Sequence, residues 1–113
     1  MRRSLILAVA IVAAMGQTRA PEAQLAQARR LYNEQRYADA LEAVRGALER
    51  MPDHAGLHYN YACFATLAGD TGDDTFAHLR RSVELLPRFR EDARRDDDFA
   101  AVRDDPRFEE ALR

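Results

Sequence analysis

The chain has 113 residues, enough for one small domain, with 17 basic residues, all of them arginine, and 19 acidic ones. Its formal net charge is −2. Because phosphate groups and anionic membranes attract one-sided basic surfaces, scattered arginines in an acidic chain argue against binding to nucleic acid or to a membrane surface.

The N-terminal end of the chain has the pattern of a secretory signal peptide. Arg2 and Arg3 precede an uncharged apolar run over residues 5–15, and small and polar residues follow it. A helix of that length rises about 16 Å, whereas the hydrocarbon core of a membrane is about 30 Å thick. We therefore expect export to the periplasm or the exterior, with cleavage after Gly16 or Ala20. A retained membrane anchor and a helix of the fold are the alternatives.

Four helices are predicted in the middle of the chain, over residues 22–34, 38–51, 55–68 and 73–86. The second is the most regular, because its apolar residues recur in steps of one and three along one helical face. They are Tyr37, Ala40, Leu41, Val44, Ala47, Leu48 and Met51. Pro52 has no amide hydrogen and ends this helix. Asp53 is expected to cap the third helix, and Asp70 or Thr71 the fourth.

The same pattern recurs further along the chain. A shift of 35 residues places Ala40, Leu41, Val44, Ala47, Leu48 and Pro52 on Thr75, Phe76, Leu79, Ser82, Val83 and Pro87. Upstream, a shift of 34 places Ala28 on Ala62 and Leu31 on Ala65. The period predicts two copies of a helix pair, over residues 21–52 and 53–87.

This pattern resembles the tetratricopeptide repeat family, whose unit is a helix–turn–helix of 34 residues. The matching residues are Ala28, Ala40, Ala47 and Pro52 in the first unit, and Ala62, Ser82 and Pro87 in the second. Gln24 and Gln27 depart from it, since large apolar residues are usual there. The resemblance implies an all-α fold in which two hairpins form a short right-handed solenoid that binds proteins and has no enzymatic activity.

The segment 88–113 is rich in arginine and aspartate but also carries apolar residues at helical spacing. Phe99 and Val102 would share a face, and Asp105 followed by Pro106 is typical of a helix start. The sequence DDDFAAVRDDPRFEEAL also resembles the ending of many bacterial tetratricopeptide proteins. We expect a helical C-terminal cap, which a solenoid needs to cover its last repeat. A disordered tail is the alternative.

Residues that could carry chemistry are few. His54 and His58 have a spacing found in some zinc sites, and a metal or small-ligand carrier is one hypothesis, but no further ligand motif accompanies them. No catalytic motif is present, so we expect neither an enzyme nor a metal or other cofactor. Cys63 is the lone cysteine and is expected to be buried in the core, with a reactive thiol or an intermolecular disulfide as the alternative.

The resemblance implies that the first helix of each pair lines a concave binding surface. Carried over to this chain, that surface contains Leu25, Arg29, Tyr32, Tyr59, Asn60, Cys63 and Thr66. We take Arg29, Tyr32, Tyr59, Asn60 and Cys63 as the candidate partner-binding residues, although the tyrosines could equally belong to the core. An arginine and an amide favour an extended peptide with an acidic group. We therefore expect an interaction scaffold of the bacterial envelope. A self-associating module that forms a homodimer is the alternative.

Overall fold

The computed structural model describes residues 21–113, so the predicted signal peptide at residues 1–20 lies outside the described residues. This part of the chain is all-helical: 77% of it is helix, it contains no strand, and its helices number seven. They are α1 (Pro21–Asn33), α2 (Tyr37–Arg50), α3 (Ala55–Leu67), α4 (Asp73–Leu85), α5 (Phe89–Arg95), a 3-10 helix (Asp97–Val102) and α6 (Pro106–Ala111). The bounds of α1 to α4 agree with the predicted helices to within one residue.

Neighbouring helices of the chain pack on one another: α1 on α2, α2 on α3, and α3 on α4. The predicted stripe of α2 is its packed face, with Ala40, Leu41, Val44 and Ala47 buried. Small side chains on this face allow helix axes to approach closely. Leu48 lies at the edge of the core and is only partly buried.

Helix α3 is the central element of the fold. It packs against α2, α4 and the 3-10 helix, and its own residues are mostly apolar or aromatic on every face. A helix that is apolar all round is a buried one. Its buried residues are Leu57, His58, Tyr59, Tyr61, Ala62, Cys63, Phe64, Ala65 and Thr66. Its two tyrosines face different neighbours: the hydroxyl of Tyr59 bonds Asp96 beside the 3-10 helix, and that of Tyr61 bonds Arg45 of α2.

The predicted cap of α3 is wrong by one residue. His54, and not Asp53, caps this helix: its Nδ1 atom accepts a hydrogen bond from the amide of Leu57 at 3.1 Å. The helix begins at Ala55, which leaves Asp53 one residue outside the capping position, and its carboxylate pairs with Arg81 at 3.1 Å.

The predicted cap of α4 is also wrong. The capping position is Gly72, and no side chain caps the helix. The side chain of Asp70 accepts a weak bond from the amide of Gly72 at 3.4 Å and so belongs to the preceding turn. Two further aspartates, Asp73 and Asp74, lie in the first turn of α4, where negative charge favours a helix.

The C-terminal segment is helical, in α5, the 3-10 helix and α6. The 3-10 helix packs on α3, and α6 packs on α4. Asp105 caps α6 by accepting the amide hydrogen of Arg107 at 2.9 Å, with Pro106 in the first turn, as predicted. The apolar residues that the helical spacing of this segment indicated are buried: Phe99, Val102, Phe108, Ala111 and Leu112. The short helix α5 has no clear apolar stripe and was not predicted as a separate element.

Arg107 fastens this segment to the helical core. Its guanidinium pairs with Asp73 of α4 at 3.0 Å, donates to the carbonyl of Thr71 at 3.0 Å, and lies 4.4 Å from the ring centroid of Phe76.

Among residues 21–113 no helix is both long enough and apolar enough to cross a membrane.

Candidate functional site

A groove of about 380 Å³ lies between α1, α3 and the 3-10 helix. We call it the helix-layer groove. Its lining residues are Leu25, Arg29, Tyr32, Asn33, Tyr59, Asn60, Cys63, Phe64, Asp96 and Asp98. The five candidate residues from the sequence, Arg29, Tyr32, Tyr59, Asn60 and Cys63, are all in this lining. Thr66 is not: it is buried, and its hydroxyl donates to the carbonyl of Ala62 at 2.7 Å.

Helical spacing explains why these side chains meet. Leu25, Arg29 and Tyr32 follow one another at four and three residues and so share one face of α1. The ring of Tyr32 packs against Phe64 of α3, with 5.4 Å between the centroids. Aromatic rings form the walls of the groove. Arg29 is exposed and Asn60 is half-buried, so these two residues supply accessible polar groups at its rim.

Two aspartates from the C-terminal segment complete the helix-layer groove. The hydroxyl of Tyr59 donates to Asp96 at 2.8 Å, and that of Tyr32 donates to Asp98 at 2.9 Å. Asp96 also caps the 3-10 helix, accepting the amide hydrogen of Asp98 at 3.0 Å. Sequence reasoning missed both residues, although an aspartate three residues before Phe99 is a recognisable capping signal.

These contacts raise the pKa values of the tyrosine hydroxyls and of the thiol in the groove. Hydrogen bonding to Asp98, together with burial, raises the pKa of Tyr32 to about 12. Burial, with the neighbouring Cys63 and Asp96, raises the pKa of Tyr59 as well. Burial and the charge of Asp96 hold the pKa of the Cys63 thiol well above its usual range.

Cys63 is therefore a core residue rather than a reactive one. Its side chain is buried, as predicted, and its Sγ atom lies 3.9 Å from a carboxylate oxygen of Asp96. A nucleophilic cysteine needs a lowered pKa and access to solvent, and here the pKa is raised.

The groove also contains the group of potential metal ligands found among residues 21–113. The ligand atoms of Cys63, Asp96 and Asp98 lie within 4.8 Å of one another. A metal-bound cysteine must lose its proton, which the raised pKa opposes, and both carboxylates already accept hydrogen bonds from tyrosines. We assign no metal to this group.

The histidines predicted as a pair do not converge on a common ligand position. His54 uses Nδ1 to cap α3, whereas the Nε2 atom of His58 bonds the carbonyl of Pro52 at 2.6 Å. The Nδ1 atom of His58 instead lies 2.8 Å from Nδ1 of His78 on α4. Tyr61 stacks on His78 with centroids 3.7 Å apart. Both His54 and His58 thus bond the backbone. They do not form the shared ligand site that the carrier hypothesis requires of them.

His78 is expected to make folding stability depend on pH. Burial, then the charges of His58 and Arg45, lower the pKa of His78 from 6.5, while Asp74 acts in the opposite direction. The unfolded chain therefore binds the proton more readily, and stability is lost as the pH falls below about 6.5. In urea denaturation between pH 7 and pH 5, the variant His78→Gln should lose less stability than the wild type.

The variant Ala77→Gln is the matched control for this prediction. It places the same glutamine at the exposed neighbouring position of α4 and keeps all three histidines, so its pH dependence should follow that of the wild type. An unchanged pH dependence in His78→Gln would show that another group causes the effect.

Comparison with family models, with curated proteins and with solved structures returns no match, so the functional assignment rests on the groove itself.

Proposed function

We propose that this chain is a non-enzymatic interaction module that binds an extended peptide or protein segment in the helix-layer groove. The observation that carries this proposal is a cavity of about 380 Å³ in which aromatic rings lie beside charged and amide side chains, so that it offers both apolar contact and convergent polar groups to a ligand. Asn60 at the rim can both donate to and accept from a peptide backbone. Arg29, exposed at the same rim, can bind a carboxylate.

We further propose that the two hairpins, α1–α2 and α3–α4, form a short solenoid like that of tetratricopeptide repeat proteins. The order of packing along the chain supports this arrangement. So does the burial of Ala28, Ala40, Ala47 and Ala62, the small residues of the repeat pattern. On this proposal the C-terminal segment takes the place of a further repeat and covers the end of the second hairpin.

The proposed location is the bacterial envelope, after removal of the first 16 or 20 residues. The sequence of the N-terminal end supports it, with two arginines before a short apolar run. After removal of Arg2, Arg3 and Arg19 the chain would carry 14 basic and 19 acidic residues, a net charge of about −5.

Selection from a displayed library of random peptides, with residues 21–113 as the target, tests the proposed function. Asn60→Ala and Arg29→Ala should each weaken the selected peptides by about ten- to hundredfold, the cost of losing a hydrogen bond that involves a charged partner. Both positions are accessible, so the melting temperature should remain nearly unchanged. Fluorescence anisotropy and thermal melts provide the two measurements.

Arg30→Ala is the matched control, because Arg30 is an exposed neighbour of Arg29 on α1 and does not line the groove. If the selected peptides bind Asn60→Ala and Arg29→Ala as tightly as the wild type, the helix-layer groove is not their site. If no peptide is selected and light scattering shows a homodimer that Asn60→Ala dissociates, the self-associating alternative is supported instead.

A further inference from the structure

We infer that the helix-layer groove recognises a positively charged side chain of its partner, an arginine or a lysine, between the carboxylates of Asp96 and Asp98. This inference rests on the proposed peptide-binding function and names the chemistry of the peptide. It adds a second charge to the expected peptide: beside the acidic group that Arg29 favours, the partner carries a cationic side chain.

The charge of the lining is the first observation. Asp96 and Asp98 contribute two carboxylates and Arg29 one guanidinium. The two aspartates are only partly exposed, whereas Arg29 is exposed at the rim. Because water screens a charge less where burial is greater, the aspartates dominate the interior of the groove. An acidic side chain that entered there would face two like charges.

The hydrogen bonds of these carboxylates are the second observation. Asp96 accepts from the hydroxyl of Tyr59, the thiol of Cys63 and the amide of Asp98. Asp98 accepts from the hydroxyl of Tyr32. All of these donors are uncharged, and a carboxylate has about four acceptor positions. The pair therefore retains acceptor capacity for a cationic donor.

Two arginines that flank the aspartates in sequence, Arg94 and Arg103, are engaged elsewhere, which is the third observation. Arg94 pairs with Glu91 at 2.7 Å and with Glu109 at 3.2 Å. Arg103 donates to the backbone carbonyls of Arg94 and Asp96, and so it bonds the backbone of Asp96 instead of its carboxylate.

The raised pKa of Asp98 agrees with a shortage of positive charge near the two carboxylates. Burial and the charges of Asp96 and Asp97 raise the pKa of Asp98, against the lowering effect of its bond from Tyr32. A cation between the two carboxylates would relieve that repulsion. The ring of Tyr32 lies in the same lining, and aromatic rings attract guanidinium and ammonium groups.

Capped single amino acids test the inference without knowledge of the natural partner. The probes are the N-acetyl amides of arginine, lysine, glutamine and glutamate, titrated into ¹⁵N-labelled residues 21–113 in a buffer with EDTA. Arginine and lysine amides should shift the resonances of Asp96, Asp98 and Tyr32 and bind about tenfold or more tightly than glutamine amide. Glutamate amide should bind more weakly than glutamine amide at these positions.

Asp98→Asn and Asp97→Asn form the matched pair of variants. Asp98→Asn keeps an acceptor for Tyr32 but removes a charge from the groove, and it should weaken arginine amide about tenfold. Asp97→Asn removes the same charge from an exposed neighbour that does not line the groove, and it should have little effect. Equal binding of arginine and glutamine amides, or equal effects of the two variants, would overturn the inference.

The peptide selection separates this inference from the proposed function. Selected peptides that depend on Asn60 but lack arginine and lysine would support peptide binding and refute the cationic preference. Binding of arginine amide at Asp98 without any selected peptide would support the cation site and refute the peptide-binding function.

Discussion

Substitution of Phe99 by alanine is expected to destabilise the protein by about 3–5 kcal/mol, the usual cost of removing a buried phenylalanine. Phe99 is completely buried and contacts two aromatic side chains, Tyr59 of α3 at 5.6 Å and Phe108 of α6 at 5.5 Å between ring centroids. It thus joins the C-terminal segment to the helical core. Urea denaturation followed by circular dichroism measures the loss.

The control for Phe99 is the conservative variant Phe99→Leu, which keeps most of the buried volume and should cost clearly less than the alanine variant. A loss below about 1 kcal/mol in Phe99→Ala, a value typical of exposed positions, would show that the C-terminal segment contributes little to the fold.

Removal of residues 96–113 should have a still larger effect. It deletes the 3-10 helix and α6, and with them the buried side chains of Phe99, Val102, Phe108 and Leu112. The apolar surfaces of α3 and α4 that these elements cover would then face water. We expect aggregation or loss of cooperative unfolding, observed by light scattering and thermal melting. A truncated protein that remains monomeric and melts as before would contradict the capping role.

A smaller loss of stability is expected when the small residues of α2 are enlarged. Ala40 and Ala47 are almost fully buried on the face that packs against neighbouring helices. Adding three carbons to either side chain forces the helices apart or into strained rotamers, at a cost of about 1–3 kcal/mol. Ala40→Leu and Ala47→Leu should therefore lower the free energy of unfolding by that amount, as measured by urea denaturation.

Ala38→Leu is the matched control, because it makes the same change at an exposed position near the start of the same helix. Glu42→Leu, also exposed, is a second control: it removes an ion pair with Arg45, of the kind that contributes little at a surface. Should Ala38→Leu destabilise as much as Ala40→Leu, the effect would come from leucine itself and not from a close helix contact.

Helices α1 to α4 and the start of α6 could be predicted because their signals are local. The stripe of α2 and the proline at its end specify where that helix lies and which face it buries, through spacing and backbone chemistry alone. The start of α6 at Asp105 and Pro106 was readable for the same reason. The capping residues of α3 and α4 were missed because a cap is the residue directly before the first helical one. Sequence periodicity locates a helix start only to within one or two residues.

The groove was predictable only in part. Helical spacing places Arg29 and Tyr32 on one face of α1, and the resemblance to a repeat family suggested that Tyr59, Asn60 and Cys63 would meet them. Asp96 and Asp98 are distant in sequence from those residues: the hydrogen bond between Tyr32 and Asp98 joins residues 66 positions apart. Only the packing of the 3-10 helix on α3 brings them into the groove.

The sequence by itself therefore determined helices α1 to α4, the buried face of α2 and the repeat of small residues, because each follows from contacts within a few turns of chain. The tertiary structure alone decided the charge of the groove. A charge pattern along the chain does not reveal which carboxylates will be partly buried beside which hydroxyls, since this depends on how the C-terminal segment folds back. That return brings two aspartates onto two tyrosines and makes the interior of the groove acidic.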